Sequence, residues 1–158
     1  MRYAAIDIGT NTFHLIIADG TTDGFTVIHK ENLPVKLGEG SINQGFINDA
    51  AMARAMAAFS HFREQLDKFK VKNVRAVATS AVRSAINGQD FVEAVKDATG
   101  IDIEVIDGDE EAELIYEGVK LSGAITGKSL IMDIGGGSTE FILCDEENLI
   151  WKKSYNIG

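Results

Sequence analysis

The segment from Ala4 to Asp19, AAIDIGTNTFHLIIAD, recurs 126 residues later as LIMDIGGGSTEFILCD, Leu130 to Asp145. In register Asp7 falls on Asp133, Ile8 on Ile134, Gly9 on Gly135, Thr12 on Ser138, Leu15 on Phe141 and Asp19 on Asp145. Each copy reads as an apolar strand ending in aspartate, a tight turn of small residues, and a second apolar strand folding back. Such a turn lets successive backbone N–H groups converge on an anion with no Cβ in the way, and the hydroxyls of Thr10, Thr12 and Ser138 add donors. Either motif alone reads equally well as an ordinary hairpin; retention of Asp, Ile and Gly in register makes coincidence a poor account. The repeat therefore predicts two phosphate cradles, one of Gly9, Thr10, Asn11 and Thr12, the other of Gly135, Gly136, Gly137 and Ser138. Asp7 and Asp133 stand before them, placed to hold a divalent cation or its water shell against the same phosphate.

The repeat also bounds the organisation. If the first motif opens a unit as long as the interval between the copies, too little chain follows Asp133 to complete a second. Residues 1–125 are expected to form one full lobe and 126–158 the opening strands of another; the alternative is a three-stranded addition to one domain. With 24 acidic against 15 basic residues the formal charge is −9, which disfavours duplex nucleic acid and acidic membrane as partners. A small polyanion remains compatible, because screening over about 10 Å hides distant carboxylates. The single cysteine, Cys144, lies in an apolar strand and predicts a buried thiol rather than a disulfide framework, which fits a reducing cytoplasm. Asp7 interrupts the first apolar run, and about 18 uncharged apolar residues never follow one another, so neither a signal peptide nor a membrane anchor is expected.

Residues 3–8 and 13–19 read as the first hairpin and 25–33 as a third strand after a turn at Asp23 and Gly24. Pro34, Gly38, Gly40 and Gly45 mark a loop. Asn48 or Asp49 then caps a helix carrying Met52, Met56, Phe59, Phe62, Leu66 and Phe69 at helical spacing. Asn73 to Ala78 reads as a buried strand, Ser84 to Thr99 as mostly helical with a break at Asn87 and Gly88, and Ile101 to Ile106 as the next strand. A helix follows, with Asp107 or Asp109 near its cap and Gly123 near its end. The order β-β-β-α-β-α-β-α implies a mixed α/β sheet of the ribonuclease H-like type, by analogy of strand order. His14, His29 and His61 are too scattered in sequence to suggest a metal site and read as structural or surface residues.

Among charged side chains, Glu111 is the most informative. At 100° per residue it projects with Leu114, Ile115, Gly118 and Val119, whereas Glu110, Glu113 and Glu117 share the wettable side, where they suit a helix N-terminus. An inward carboxylate at a cleft is a candidate general base for water. Arg83 follows the strand ending at Ala78, at the end of an open α/β sheet where ligands bind, and its guanidinium suits phosphate oxygens; a solvent-facing arginine is the alternative. Glu140 lies across the second turn from Asp133, and the two carboxylates suit Mg²⁺, which takes few carboxylates with water and phosphate.

Together DIGTNTFHLIIAD, ATSAVRSAING, VIDGDEEAELIYEGV and MDIGGGSTEFIL resemble, in order, the exopolyphosphatase and guanosine pentaphosphate phosphohydrolase family. The resemblance implies an actin-like ATPase superfamily fold: two ribonuclease H-like lobes with the active site between them. It implies hydrolysis of the terminal phosphoanhydride of polyphosphate, or of guanosine pentaphosphate, with Mg²⁺. Under it Glu111 is the base that activates water, and Asp133 and Glu140 are the metal-side carboxylates with Asp7 beside them. Arg83 and both turns become phosphate contacts. The family's first turn usually has serine where this chain has Thr10 or Thr12, a change that keeps the hydroxyl. Family members are longer, so this chain alone is expected to be weakly active or inactive. Its final strands would expose edges and an apolar face, through which a homodimer is expected. The alternatives within the superfamily are a small-molecule kinase and a nucleotide-gated assembly protein.

Overall fold

A computed structural model describes residues 1–21, 24–40 and 45–158. The described chain falls into two compact units, Met1–Val105 and Ile106–Gly158.

The first unit is built on strict alternation. In β1 (Arg2–Ile8) the side chains of Ala4, Ile6 and Ile8 are buried while Tyr3, Ala5 and Asp7 are exposed; in β2 (Thr12–Thr21) Phe13, Leu15 and Ile17 point inward. This period of two fixes register, since a one-residue slip would turn every apolar side chain to water. β2 pairs antiparallel with β1 and with β3 (Gly24–Pro34). β4 (Asn73–Ala78) and β5 (Ile103–Val105) add on the other side, both in parallel, so that the sheet runs β3-β2-β1-β4-β5. This is the ribonuclease H-like arrangement that the strand order implies. The expected turn residue Asp23 lies outside the described residues, and β5 is shorter than the expected Ile101 to Ile106.

Helix α1 (Asp49–Lys68) starts where the Asn48 side chain accepts from the Ala51 N–H at 2.8 Å, a cap that satisfies one orphan donor. Its buried line is Ala51, Ala55, Ala58, Phe59, Phe62 and Leu66, with Met52 and Met56 only partly covered. Phe59 meets Phe13, Phe62 and Phe91 edge to face, with ring centroids 5.6, 6.2 and 6.2 Å away. Where the pattern gave one interrupted helix, two form: α2 (Ser80–Ser84) and α3 (Gly88–Thr99). Gly88 opens α3 because a Cβ there would lie 2.2 Å from the Val82 carbonyl oxygen; only glycine lets the two helices approach so closely.

The second unit contains α4 (Gly108–Leu121), capped by the Asp107 carboxylate, which accepts from the N–H groups of Asp109 and Glu110. It is followed by a meander of β6 (Ser129–Ile134), β7 (Thr139–Cys144) and β8 (Leu149–Tyr155), in sheet order β6-β7-β8. Ala112 and Tyr116 of α4 are buried with Ile125, Ile142 and Cys144. That packing draws the division of the chain back to Val105 and Ile106, ahead of α4, whereas the repeat alone suggested 125 and 126. The inward line of α4 also lies about one residue away from the expected stripe. Ile115 and Val119 are half-buried, Leu114 and Gly118 are exposed, and Glu111 is half-buried at the flank of that line. The other face of this sheet carries exposed Leu130, Met132, Ile134, Leu143 and Trp151.

Candidate functional site

Both glycine turns close in the same way. The Gly9 N–H donates to the Thr12 carbonyl at 3.2 Å and the Gly135 N–H to the Ser138 carbonyl at 2.9 Å. A Cβ would stand 2.9 Å from that oxygen at Gly9 and 3.1 Å at Gly135, so these first glycines are set by close backbone approach. The chain after each third strand then folds against the turn. In the first unit Lys36 and Gly38 donate to the carbonyls of Asn11 and Thr10. In the second, a Cβ on Gly158 would lie 2.4 Å from the Gly137 nitrogen and 2.7 Å from the Gly135 oxygen. The Ile157 carbonyl next to it accepts from the Thr139 hydroxyl at 2.7 Å. Thr10 and Ser138 are buried. In the first turn, two carbonyls are thus occupied from behind.

One residue pair below each turn, a row of polar side chains crosses three strands. In the first unit Asp7 of β1 is opposite His14 of β2, which is opposite Asn32 of β3. In the second Asp133 of β6 is opposite Glu140 of β7, which is opposite Ser154 of β8. Residues directly opposite in antiparallel strands share a face, with Cβ atoms about 5 Å apart. Each row is tied at its far end: Nδ1 of His14 lies 2.8 Å from Oδ1 of Asn32, and the Ser154 hydroxyl donates to Glu140 at 2.8 Å. The rows differ in charge. Asp7 stands beside an imidazole, Asp133 beside a second carboxylate.

Glu140 is 1% exposed, whereas Asp133 is exposed. The first turn of α4 packs over this row, since a Cβ on Gly108 would meet the Ser154 Cβ at 2.4 Å and its Oγ at 2.6 Å. Glu111, whose N–H donates to the Asp107 carbonyl, sits in that first turn. Lys152 ties the same end down, donating to the Asp109 carbonyl at 3.0 Å and to Glu113 at 2.6 Å. Within the second unit, then, the turn from Gly135 to Ser138, Asp133, Glu140 and the helix turn bearing Glu111 are gathered at one end of a small sheet. Cys144 lies deeper on the same face, where burial raises its thiol pKa.

In the first unit the parallel pairing of β1 with β4 sets Ile8 beside Ala78, and the Thr79 N–H lies 3.4 Å from the Ile8 carbonyl. The first glycine turn and the start of α2 therefore share the C-terminal end of these strands. Arg83 is half-buried on α2, one helical turn beyond the strand end that the sequence suggested.

The donor set at Asp133 and Glu140 fits a hard cation that keeps water and phosphate in its coordination sphere. Among the described residues no three His, Cys, Asp or Glu side chains gather as a metal cluster. An ion at this pair would take its other ligands from water and phosphate. Sequence reasoning passed over His14, Asn32, Ser154 and Gly108. The repeat does align His14 with Glu140, but Asn32 and Ser154 become visible only through strand register. It also scattered His29 and His61, which β3 and α1 bring to either side of Glu31, at 3.6 and 3.0 Å.

A family model described as the Ppx/GppA phosphatase family matches residues 16–158. A guanosine-5'-triphosphate,3'-diphosphate pyrophosphatase of Photobacterium profundum is 38% identical over 141 residues, which cover 89% of this chain and 28% of that protein. The crystal structure of an exopolyphosphatase from Cytophaga hutchinsonii superposes with a TM-score of 0.97 at 46% identity, covering all of this chain and 51% of that one. This chain thus spans between about a quarter and about half of the length of these relatives. MreB5 of Spiroplasma citri, at 17% identity, superposes with a TM-score of 0.52, a likeness of fold alone.

Proposed function

This chain belongs to the Ppx/GppA phosphatase family, and from that premise we propose that the whole protein hydrolyses the terminal phosphoanhydride of polyphosphate or of guanosine pentaphosphate. The observation that carries the reading is the second unit's arrangement: a glycine turn, the opposed pair Asp133 and Glu140, and Glu111 in the helix turn packed over the same row.

In this reading the backbone donors of Gly135, Gly136, Gly137 and Ser138 seat phosphate oxygens, aided by the Ser138 hydroxyl. The turn from Gly9 to Thr12 does the same in the first unit, with Arg83 supplying a forked cation. Asp133 and Glu140 would hold Mg²⁺, with Asp7 beside the first turn as a further carboxylate, and such an ion would supply positive charge to the phosphate oxygens. Glu111 orients a water and accepts its proton as the oxygen attacks the terminal phosphorus.

Polyphosphate and guanosine pentaphosphate are both polyanions, which the acidic chain meets with local donors rather than bulk charge. Duplex nucleic acid falls outside this reading for the same reason. A cytoplasmic setting suits the single buried thiol, and no helix among the described residues is long and apolar enough to cross a membrane. The exposed apolar face of the second sheet supports self-association of this chain as a dimer; a monomer in light scattering would count against it.

The test is phosphate release from both substrates by the full-length protein, with and without Mg²⁺. Replacing Glu111 by Gln should lower turnover by about 10²–10⁴-fold while leaving KM nearly unchanged. Undiminished turnover in that variant would remove Glu111 from the role, and absence of phosphate release from either substrate would remove the reading itself.

A further inference from the structure

We infer that Ser154 is a positioning residue: its hydroxyl orients the carboxylate of Glu140 so that a divalent cation can be shared with Asp133. The inference deepens the hydrolase reading above and rests on it for the identity of the cation pair.

The last torsion of a glutamate side chain is broad, so a glutamate that is to ligate an ion needs a partner that sets the plane of its carboxylate. Glu140 is 1% exposed, whereas Asp133, directly opposite on β6, is exposed. Water can orient Asp133 but has little access to Glu140. The donor that reaches Glu140 comes from β8, where Ser154 is directly opposite and donates from Oγ to Oε1 at 2.8 Å. With Oε1 engaged on the β8 side, Oε2 is the oxygen left to share an ion with Asp133. Ligating carboxylates are held in this way by groups that do not themselves touch the metal.

The hydroxyl is itself confined. A Cβ on Gly108 would stand 2.4 Å from the Ser154 Cβ and 2.6 Å from its Oγ, so the backbone at the start of α4 closes over the serine. Lys152, two residues along the same face of β8, is engaged by the Asp109 carbonyl and by Glu113. The relation also recurs in the first unit, where Asn32 on the third strand holds His14 on the second, Oδ1 to Nδ1 at 2.8 Å. In both units the outer strand supplies the residue that orients the middle one.

The experiment uses the full-length protein without substrate. Mn²⁺, a probe for the Mg²⁺ site, is titrated and the free ion read by electron paramagnetic resonance; phosphate release against Mg²⁺ concentration is measured in parallel. Ser154→Ala keeps the Cβ under Gly108 and deletes only the hydroxyl. It should weaken Mn²⁺ binding by about 10–100-fold and raise the Mg²⁺ concentration for half-maximal activity by a similar factor, with KM at saturating Mg²⁺ near the wild-type value. Ser154→Gly, which also lacks the hydroxyl, should give the same loss. Tyr116→Phe deletes a hydrogen bond to the Asp145 carbonyl elsewhere in the same unit and should leave Mn²⁺ affinity unchanged. Wild-type Mn²⁺ affinity in Ser154→Ala, or an equal loss in Tyr116→Phe, would overturn the inference. So would a wild type that binds no Mn²⁺, which would also remove Asp133 and Glu140 as a cation pair. Absence of phosphate release by a wild type that does bind Mn²⁺ would instead sink the hydrolase reading, and the resonance comparison would still decide the role of Ser154.

Discussion

Replacing Gly108 by Ala probes the joint between α4 and β8 with a single methyl group. Ordinary carbon contacts lie at about 3.5–4.0 Å, whereas the new Cβ would stand 2.4 Å from the Ser154 Cβ and 2.6 Å from its Oγ. The shortfall exceeds 1 Å, and the nearest atom is a Cβ fixed to a strand, so the helix end or β8 must move. Overpacking of this kind costs about 1–3 kcal/mol. If Ser154 yields, its hydrogen bond to Glu140 goes as well, leaving an oxygen of a 1% exposed carboxylate short of a partner, about 1.5–3 kcal/mol for a bond to a charged group. Alanine's better helix propensity returns less than about 1 kcal/mol, and least at the first helical position. The net expectation is about 2–4 kcal/mol of destabilisation, read as a shifted denaturant midpoint or a melting temperature lower by roughly 5–15 °C. The decisive comparison is a double-mutant cycle. Ser154→Gly removes the offending Cβ and should rescue Gly108→Ala, with a coupling of more than about 1 kcal/mol; Ser154→Ala keeps that Cβ and should not. Additive effects in the Gly108→Ala, Ser154→Gly pair, or a wild-type midpoint for Gly108→Ala alone, would refute the packing argument.

Other outcomes follow from single contacts. Phe59→Ala empties the centre of the first unit's aromatic cluster and should cost about 3–5 kcal/mol in chemical denaturation. Asn48→Ala removes the cap of α1 and the Nδ2 hydrogen bond to the Glu39 carbonyl and should cost about 1 kcal/mol or more, of which Asn48→Asp, keeping only the cap, should recover a part. The Arg2 guanidinium, 2.6 Å from Asp19, holds that carboxyl below its usual range. Asp19 therefore contributes stability above the unfolded carboxylate pKa and loses it as pH falls through the lower folded value. The difference in denaturant midpoint between wild type and Asp19→Asn should shrink toward zero in that acid range. Burial keeps the Cys144 thiol protonated, so its alkylation by iodoacetamide should be slow in the native state and fast in urea.

Much of this architecture was legible in the chain because local rules dictate it. Alternation in Ala4 to Ile8 and Phe13 to Ile17, the cap at Asn48 and the small residues of both turns each follow from near neighbours. The repeat then extended one hairpin's reading to the other, including the place of Asp133. Glu111 shows where such reasoning stops. Helical periodicity marked it as inward, but the angle at which α4 meets β7 and β8 puts Ala112 and Tyr116 at the centre and leaves Glu111 at the flank.

Period and composition determine which residues lie on one strand face or in one turn, because φ, ψ and the pleat act over a few residues. They also set two turns of small residues and an acidic net charge. Which side chain stands opposite which is decided between strands far apart in sequence. Only the folded sheets set Asn32 against His14 and Ser154 against Glu140, and only packing laid the first turn of α4 over the second row. Cross-strand register and helix docking are collective properties of the buried core, which no short stretch of sequence contains.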